Sequence, residues 1–330
     1  MVDVAVVGVG NMGYHHCRVY SCIPGARLVA VADADRERAQ AAAKRFGCRH
    51  YGSCQDLLAW ENVDAISIAL PTSMHYRVAR DTIAAGVHVL VEKPLAANVE
   101  EAQALLGASR ERGVVLAVGH VERFNPAVQE LKRRIDAGEL GEITSIVAKR
   151  VGVLPPQVKD ANVIVDLAVH DIDIIGYLLG AVPTEVHAAA GRALLSDRFD
   201  HAELLLKYGQ IGCFVQVNWI TPIKIRTLSI TGNKGYAELN YVTQRLDIYQ
   251  SNVERHYDDF GDFVYRFGTP QAVTIPIEPR EPLLLELEAF VRTVEGQGAD
   301  IATCEDGVRA LMVAEQAVRQ LENRDREAHL

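Results

Sequence analysis

The segment Gly8-Val9-Gly10-Asn11-Met12-Gly13 constrains the fold of this chain more than any other feature. It follows a short apolar run, 2–7, and precedes a stretch of helical composition. Glycines in this spacing permit a tight turn and let phosphate groups approach the open N–H groups at a helix N-terminus. The segment therefore predicts a strand, a turn and a helix that begin a dinucleotide-binding fold.

Asp33 supports that prediction, because it lies 20 residues beyond Gly13 at the end of the second predicted strand. A carboxylate there can accept hydrogen bonds from both adenosine ribose hydroxyls and repels a 2′-phosphate, which favours NAD. Arg36 and Arg38 follow closely and could receive that phosphate, so NADP stays an alternative, and the glycine turn alone would also suit S-adenosylmethionine. The residues predicted to bind NAD in this part of the chain are Gly8, Gly10, Asn11, Met12, Gly13 and Asp33.

The first third of the chain alternates short apolar runs with helical stretches, the pattern of βαβ units around a parallel sheet. Strands are predicted at 2–7, 28–33, 65–70, 88–91 and 114–118. Helices are predicted at 35–46, 73–85 and 98–112, each followed by a glycine that favours a helix end. Continuous apolar strands of this kind are buried on both faces of the sheet.

The pattern changes after residue 122, so we predict a dinucleotide-binding domain at 1–122 and a second domain at 123–330. A helix at 126–137, a strand at 143–150, a loop at 151–161 with Pro155 and Pro156, and an apolar helix at 163–179 follow in order. Turn sequences at 208–210 and 232–235 predict hairpins of an antiparallel sheet between 185 and 275. Helices at 283–294 and 306–321 end the chain, too short to cover both sheet faces, so one face is expected to receive a partner subunit.

The composition of the chain limits the kinds of molecule that it is expected to bind. The 330 residues carry 34 lysines and arginines against 43 acids, and the net charge of −9 argues against nucleic acid or a membrane surface. No apolar run approaches the roughly 18 residues that span a bilayer, and no signal sequence is evident, so we expect a cytoplasmic protein. The six cysteines form no C-x-x-C pair, and the adjacent His15, His16 and Cys17 point in different directions on a helix, so no metal site is expected.

Lys93 is the first candidate for chemistry. It follows the strand predicted at 88–91, and ligands of open α/β sheets bind beyond the carboxyl ends of the strands. Pro94 restricts Lys93 to extended conformations, which limits its freedom. A solvated lysine at a strand end is the alternative interpretation.

A polar ribbon on the apolar helix at 163–179 is the second candidate. Asp166, His170, Asp173 and Tyr177 follow at spacings of four, three and four, which places them within about 60° of one another around the helix. Unpaired buried carboxylates cost several kcal/mol, so the ribbon either faces a cleft or forms an internal network. Asp166 lies one turn before His170 and could orient its imidazole, which would then serve as a general base.

These segments together resemble the Gfo/Idh/MocA oxidoreductases: the glycine turn, Glu92-Lys93-Pro94 and Asp166-x-x-x-His170-x-x-Asp173 occur in the same order. The resemblance implies a Rossmann domain and a C-terminal α/β domain with a large, mostly antiparallel sheet. It implies NAD(P)-linked oxidation or reduction of a sugar or cyclitol hydroxyl, in a homodimer or homotetramer assembled through that sheet. The segment 70–75 resembles the family's turn beside the nicotinamide, which adds Pro71, Thr72, His75, Glu92 and Lys93 to the coenzyme residues.

A narrower resemblance rests on 119–126 and 150–171, which are similar to the branch of the family that oxidises UDP-N-acetylglucosamine at C3. It implies a UDP-sugar substrate and a 3-keto product used by an aminotransferase to make 2,3-diamino sugars, for example for lipid A. The diphosphate requires cations, for which Arg123, Lys149, Arg150 and Lys159 are candidates, although each could be a solvated surface charge. The substrate residues that this resemblance implies are His120, Arg123, Asn125, Arg150 and Asp173.

The mechanism expected from these residues is hydride transfer to NAD while His170 removes the hydroxyl proton. Asp166 would orient His170, and Lys93 would hydrogen-bond the same oxygen as negative charge develops, in a cleft between the two domains. The roles of Lys93 and His170 could be exchanged. An inositol or simple aldose dehydrogenase of the same family, or a regulator that senses the nicotinamide without catalysis, are the alternatives.

Overall fold

The structure, a computed structural model, describes residues 1–154, 161–250 and 271–328, together with the backbone of the strands Val253–Tyr257 and Phe263–Phe267. It divides into two compact units. The first contains Met1–Phe124 and Glu281–Glu315, and the second contains Asn125–Arg280 and Gln316–Leu330.

The first unit is built on a six-stranded parallel sheet in the order β3-β2-β1-β4-β5-β6. Its strands are β1 (Val2–Val7), β2 (Ala26–Ala32), β3 (Arg49–Tyr51), β4 (Ala65–Ile68), β5 (His88–Glu92) and β6 (Leu116–Gly119). Its first helices are α1 (Asn11–Tyr20), α2 (Arg36–Phe46), α3 (Cys54–Trp60), α4 (Thr72–Ala84) and α5 (Val99–Arg112). The strand order reverses between β1 and β4, which is where doubly wound sheets bind their ligands. The predicted Rossmann fold is confirmed.

Three short elements of this unit were not predicted: β3, α3 and a 3-10 turn at Val121–Phe124. The strand has three residues, of which Arg49 and His50 are exposed, so it shows no apolar run. The helix has seven residues and begins where the Ser53 side chain accepts a hydrogen bond from the Asp56 N–H. Elements this short carry too few apolar positions for their periodicity to be recognised.

The second unit contains an eight-stranded sheet in the order β16-β13-β12-β11-β7-β10-β9-β8. Among its described strands β7 and β10 run parallel and the other neighbouring pairs run antiparallel, which confirms the mostly antiparallel sheet. The elements are α6 (Pro126–Asp136), β7 (Ile143–Val153), a π-helical turn (Ile164–Ala168), α7 (Val169–Leu179), β8 (Glu185–Gly191), β9 (His201–Tyr208), β10 (Ile211–Asn218), β11 (Ile220–Gly232), β12 (Gly235–Asn240), β13 (Arg245–Gln250), β14 (Val253–Tyr257), β15 (Phe263–Phe267) and β16 (Gln271–Thr274). Both predicted hairpins are present, as β9–β10 and β11–β12. The strand β7 ends at Val153, so the predicted loop at 151–161 begins later than expected, and 155–160 lie outside the described residues.

The two faces of this sheet differ in exposure. Cys213, Val215 and Val217 of β10 are fully buried, and this part of the sheet packs against the π-helical turn and α7. On the other face Phe214 of β10 is in register with Val147 of β7 and Leu205 of β9, and the three side chains are 38%, 45% and 50% exposed. A row of exposed apolar side chains therefore crosses three strands.

The C-terminal helices are α8 (Pro282–Val294) and α9 (Cys304–Ala328). Leu283, Leu287 and Phe290 of α8 join the core that contains Val4 and Tyr20, so this helix belongs to the first unit although it follows the second unit in sequence. A single boundary at residue 122 takes no account of this returning segment. Among the described helices, none is both long and apolar enough to cross a membrane.

Candidate active site

The glycine turn after β1 has the shape that a pyrophosphate requires. Gly8 has φ +85°, and a Cβ there would lie 2.6 Å from the Ala69 carbonyl oxygen. A Cβ on Gly13 would lie 1.7 Å from the Gly8 carbonyl oxygen, so neither position accepts a side chain. Gly10 forms the N-cap of α1 and has no side chain to cover the N–H groups of the first turn. These N–H groups fit the pyrophosphate of a dinucleotide.

Asp33 lies directly beside this turn. Its Oδ2 accepts a hydrogen bond from the Val9 N–H at 2.9 Å, and its Oδ1 accepts one from the Asp35 N–H at 2.9 Å. Arg38 donates to Oδ2 at 3.3 Å and to Asp35 at 3.0 Å. Oδ1 has a second lone pair for a ribose hydroxyl, and Oδ2 can accept one in place of the longer contact from Arg38. The arrangement fits NAD, and Arg38 is already held by two carboxylates.

Asp33 gives a direct test of coenzyme choice. We expect the native protein to bind NADH more tightly than NADPH, and Asp33→Asn to weaken NADH binding by about 1.5–3 kcal/mol, or roughly 10- to 150-fold, because charge-assisted hydrogen bonds are lost. Binding of NADPH should improve relative to NADH, since the repelling charge is removed. Fluorescence titration of both coenzymes measures this without a substrate. Asp35→Asn, two residues away, is the matched control, and a native preference for NADPH would contradict the assignment.

His75 joins the two loops that follow β4 and β5. Its Nδ1 lies 2.8 Å from the Pro94 carbonyl oxygen and its Nε2 lies 2.8 Å from the Leu70 carbonyl oxygen, and the ring is buried. The predicted coenzyme segments 70–72 and 92–94 are therefore brought together within the first unit. Because both ring nitrogens face backbone carbonyls, the geometry indicates that His75 holds these loops in place. Pro71 is the N-cap of α4, and the Lys93–Pro94 peptide bond is cis.

Glu92 turns its carboxylate inward. Its Oε1 lies 2.9 Å from Nε2 of His16, which is on the buried side of α1, and its Oε2 accepts a hydrogen bond from the Lys93 N–H at 3.3 Å. Burial alone would raise the pKa of Glu92, but the hydrogen bond from His16 and the charges of His16, Lys93 and His75 hold that pKa below its usual value. The carboxylate is therefore ionised, and both of its oxygens have partners within the protein. Its predicted contact with the coenzyme stays a prediction.

The helix that carries the polar ribbon begins differently from the prediction. Residues Ile164–Ala168 form a π-helical turn, and the Val169 N–H donates to the Ile164 carbonyl oxygen five residues earlier. The side chain of Asn162 starts it by accepting hydrogen bonds from the N–H groups of Ile164 and Val165 at 3.0 and 3.1 Å. π-helical turns are often found at functional sites.

The ribbon residues lie on this π-helical turn and on α7. Asp166 and His170 are half-buried and about one turn apart, which keeps the predicted pairing possible. Asp173 is buried, and Tyr177 is half-buried with the Lys132 ammonium 5.9 Å from its ring centre. Asp166, predicted to orient the base, and His170, predicted to be the base, therefore lie on consecutive helical turns of the second unit.

Two of the four predicted substrate cations, Arg150 and Arg123, are already paired with carboxylates. Arg150 is 1% exposed and donates from Nε and Nη2 to the two carboxylate oxygens of Asp171 at 2.8 and 3.1 Å, with its guanidinium 5.0 Å from the centre of the Tyr241 ring. Arg123 lies 3.0 Å from Asp306 within the first unit. The diphosphate hypothesis expects both guanidinium groups to be available to substrate, whereas each is held by a carboxylate within its own unit. Sequence reasoning missed Asp171, because it lies outside the polar ribbon.

The other residues predicted to contact substrate differ in how far they are buried. Asn125 is buried and caps α6 by accepting from the Ala127 N–H at 3.1 Å, while its amide nitrogen donates to the Tyr241 carbonyl oxygen at 3.0 Å. Both ends of this amide therefore stabilise the second unit. His120 is buried just after β6. Lys149 is half-buried on β7, and Lys159 lies outside the described residues.

Comparisons with known proteins find matches for both the N-terminal and the C-terminal part of the chain. Residues 2–120 match the NAD-binding Rossmann fold of an oxidoreductase family, and residues 132–327 match the C-terminal alpha/beta domain of the same family. A UDP-N-acetylglucosamine 3-dehydrogenase from Acidithiobacillus ferrooxidans is 37% identical over 246 residues, which are 74% of this chain and 75% of that protein. A solved structure of such an enzyme from that organism has a TM-score of 0.84 and 31% identity, covering 96% of both chains. An inositol 2-dehydrogenase from Rhizobium meliloti is 28% identical over 332 residues, 97% of each chain.

Proposed function

This chain belongs to the Gfo/Idh/MocA oxidoreductase family, a family of dehydrogenases that act on CH–OH groups, and we propose that its substrate is UDP-N-acetylglucosamine, oxidised at C3 of the glucosamine ring. The observation that carries the proposal is the similarity to the Acidithiobacillus enzyme, which extends over both domains in sequence and in structure. The coenzyme is NAD, in keeping with the Rossmann match and with Asp33 beside the glycine turn.

Three side chains carry the proposed mechanism. The glycine turn and Asp33 would hold NAD, which would supply the acceptor for the hydride that leaves the sugar carbon. His170 takes the proton of the hydroxyl group as general base, and Asp166, one turn earlier, orients its imidazole. Lys93 donates a hydrogen bond to the same oxygen, which lowers the barrier to the extent that this bond is stronger in the transition state.

The product defines the next reaction in the proposal. A 3-keto sugar carries a carbonyl that an aminotransferase converts to an amine, which gives a 2,3-diamino sugar of the type used in lipid A. A cytoplasmic location is part of the same proposal. It is supported by the six cysteines, all of which lie among the described residues and are free thiols, as in reducing compartments.

A panel of substrates tests the assignment. We expect NADH formation with UDP-N-acetylglucosamine at a kcat/KM at least tenfold above that for other UDP-sugars, free sugars and inositols, with a trapped 3-keto product. Because the substrate is a dianion near neutral pH, its KM should rise with ionic strength and with inorganic phosphate, whereas the KM of an uncharged polyol should not. Faster oxidation of an uncharged substrate would contradict the proposal.

An inositol or simple aldose dehydrogenase is the second candidate. It is favoured by the pairing of Arg150 with Asp171 and of Arg123 with Asp306, because an uncharged polyol needs no diphosphate site. The 97% coverage of the Rhizobium relative also supports it. The same panel separates the two candidates. Tight NADH binding with no oxidation of any substrate would instead support the coenzyme-sensing regulator.

We also propose that the protein is a homodimer or homotetramer that assembles through the sheet of the second unit. The row Val147, Phe214 and Leu205 supplies exposed apolar area on that sheet. We expect sedimentation of the native protein to give at least a dimer mass, and Phe214→Glu to give a monomer, because a buried unpaired charge opposes association. Met312→Glu, at a similarly exposed position on α9, is the matched control. A Phe214→Glu protein that keeps the native mass would place the interface elsewhere.

A further inference from the structure

The pair of His16 and Glu92 lies within the first unit and connects two segments with different proposed tasks. His16 is on α1, the helix whose N-terminus follows the glycine turn, and Glu92 is the last residue of β5, immediately before Lys93. The two residues are 76 positions apart in sequence, and the Nε2–Oε1 distance is 2.9 Å. One side-chain contact therefore connects the coenzyme helix to the backbone that carries Lys93.

The Glu92 carboxylate is fixed from three sides. His16 contacts Oε1, and the Lys93 N–H donates to Oε2 at 3.3 Å. On the third side Gly119 of β6 is in register with Glu92, and a Cβ on Gly119 would lie 3.0 Å from the carboxylate carbon and from Oε2. The carboxylate thus occupies space that any side chain at position 119 would take, and its orientation depends on that glycine.

The direction of the hydrogen bond between His16 and Glu92 follows from their surroundings. His16 is 0% exposed, and among the described residues its Nδ1 has no hydrogen-bond partner. An ionised carboxylate can only accept hydrogen bonds, so Nε2 of His16 is the donor to Glu92. The charged and titratable groups around Glu92 are His16 from α1, Lys93 at the end of β5 and His75 from α4, and together they keep the carboxylate ionised.

A gain in folding stability does not by itself explain a buried pair such as His16 and Glu92. Well-packed apolar side chains of similar volume usually serve at least as well as a buried polar or ionic pair. A buried carboxylate with fixed donors does, however, fix the conformation of the chain around it. Here that chain is the peptide between Glu92 and Lys93, next to the cis bond before Pro94.

We propose that His16 and Glu92 are positioning residues, which hold the backbone at Lys93 so that its ammonium group points at the reacting oxygen. The inference rests on the proposed function, because it takes Lys93 as the residue that contacts that oxygen. Glu92 is then not a coenzyme ligand, and its effect on the reaction passes through Lys93. A displacement of about 1 Å in a group that contacts the reacting atoms lowers the rate about a hundredfold.

The kinetic test uses variants of both partners. We expect His16→Leu and Glu92→Gln to lower kcat about tenfold to a hundredfold and to leave the KM for NAD within about twofold. His16→Gln, whose amide nitrogen can donate to Glu92 as Nε2 does, should restore most of the rate. The double variant His16→Leu/Glu92→Gln should lose no more than the worse single variant, because both changes remove one contact. Gly119→Ala should reproduce part of the loss without altering any ionisable group.

The pH profile adds a measurement that a purely structural role would not change. Without the His16 donor the Glu92 carboxylate loses the hydrogen bond that lowers its pKa. As the pH falls, that carboxylate becomes protonated earlier, so kcat of His16→Leu should decline at a higher pH than kcat of the native enzyme. The double variant has no carboxylate at 92 and should lack this added decline. Glu61→Gln, a buried carboxylate of the same unit that pairs with Arg49, is the matched control and should keep the native rate and profile.

Hydrogen exchange separates failure of this inference from failure of the proposed function. Mass spectrometry of a peptide covering 88–96 should show faster exchange in His16→Leu and Glu92→Gln than in the native protein, His16→Gln or Glu61→Gln. This result, in a protein that oxidises no sugar, would support the positioning contact and remove the proposed function. Native exchange and native kcat in an active His16→Leu enzyme would overturn the inference and leave the proposed function standing.

Discussion

Replacing His170 with alanine should lower kcat about 100- to 10,000-fold, the range expected for the loss of a general base. Binding of NADH should stay within about twofold of the native value, since the glycine turn and Asp33 lie in the other unit of the chain. Stopped-flow measurement of NADH formation with UDP-N-acetylglucosamine gives the rate, and fluorescence titration gives the coenzyme affinity. Asp166→Asn should cause a smaller loss, because it removes the orienting carboxylate and leaves the imidazole in place.

Two further variants make the His170 experiment decisive. His187→Ala removes an exposed histidine of β8 and should leave kcat unchanged, which controls for loss of any imidazole from the second unit. Lys93→Met should lower kcat without removing the dependence of the remaining rate on His170. A near-native rate in His170→Ala, with no detectable rate in Lys93→Met, would assign the base to Lys93 and exchange the two roles.

The features that the sequence predicted correctly are those that short stretches of chain determine. The glycine spacing, the apolar strands and Asp33 all lie within one βαβ unit, and the structure places them as expected. The hairpins at 208–210 and 232–235 are equally local, because turn residues alone set them. The assignment of α7 as a helix was correct, but its π-helical start depends on the Asn162 side chain and on packing that periodicity does not reveal.

The features that the sequence did not predict join residues far apart in the chain. His16 and Glu92 were each considered, the first for a metal site and the second for coenzyme, but no pattern connects two residues 76 positions apart. Arg150 was predicted as a substrate cation because a diphosphate requires cations, and the structure buries it against Asp171, 21 positions later. The return of α8 to the first core is another long-range contact of this kind.

The buried pair of Arg150 and Asp171 leads to the largest expected effect on stability. Arg150 is 1% and Asp171 0% exposed, and two parallel hydrogen bonds join them. Removing one partner takes away the ion pair that offsets the burial of the other charge, so Arg150→Met and Asp171→Leu should each lower the free energy of unfolding by about 3–5 kcal/mol. The double variant replaces both charges with apolar side chains and should regain most of that loss. Urea unfolding monitored by circular dichroism measures all three.

A surface pair controls for charge removal, and the double variant also tests the substrate hypothesis. Arg133 and Glu130 form an exposed pair on α6, so Arg133→Met should lower the free energy of unfolding by less than about 1 kcal/mol. If Arg150→Met also lowered the free energy of unfolding by less than about 1 kcal/mol, the charge of Arg150 would not be held in the interior.

If the double variant folds and keeps the native KM for UDP-N-acetylglucosamine, Arg150 stabilises the core of the second unit and the diphosphate binds elsewhere. A KM raised tenfold or more in that stable variant would instead return Arg150 to the substrate site, because lost stability could no longer explain the change.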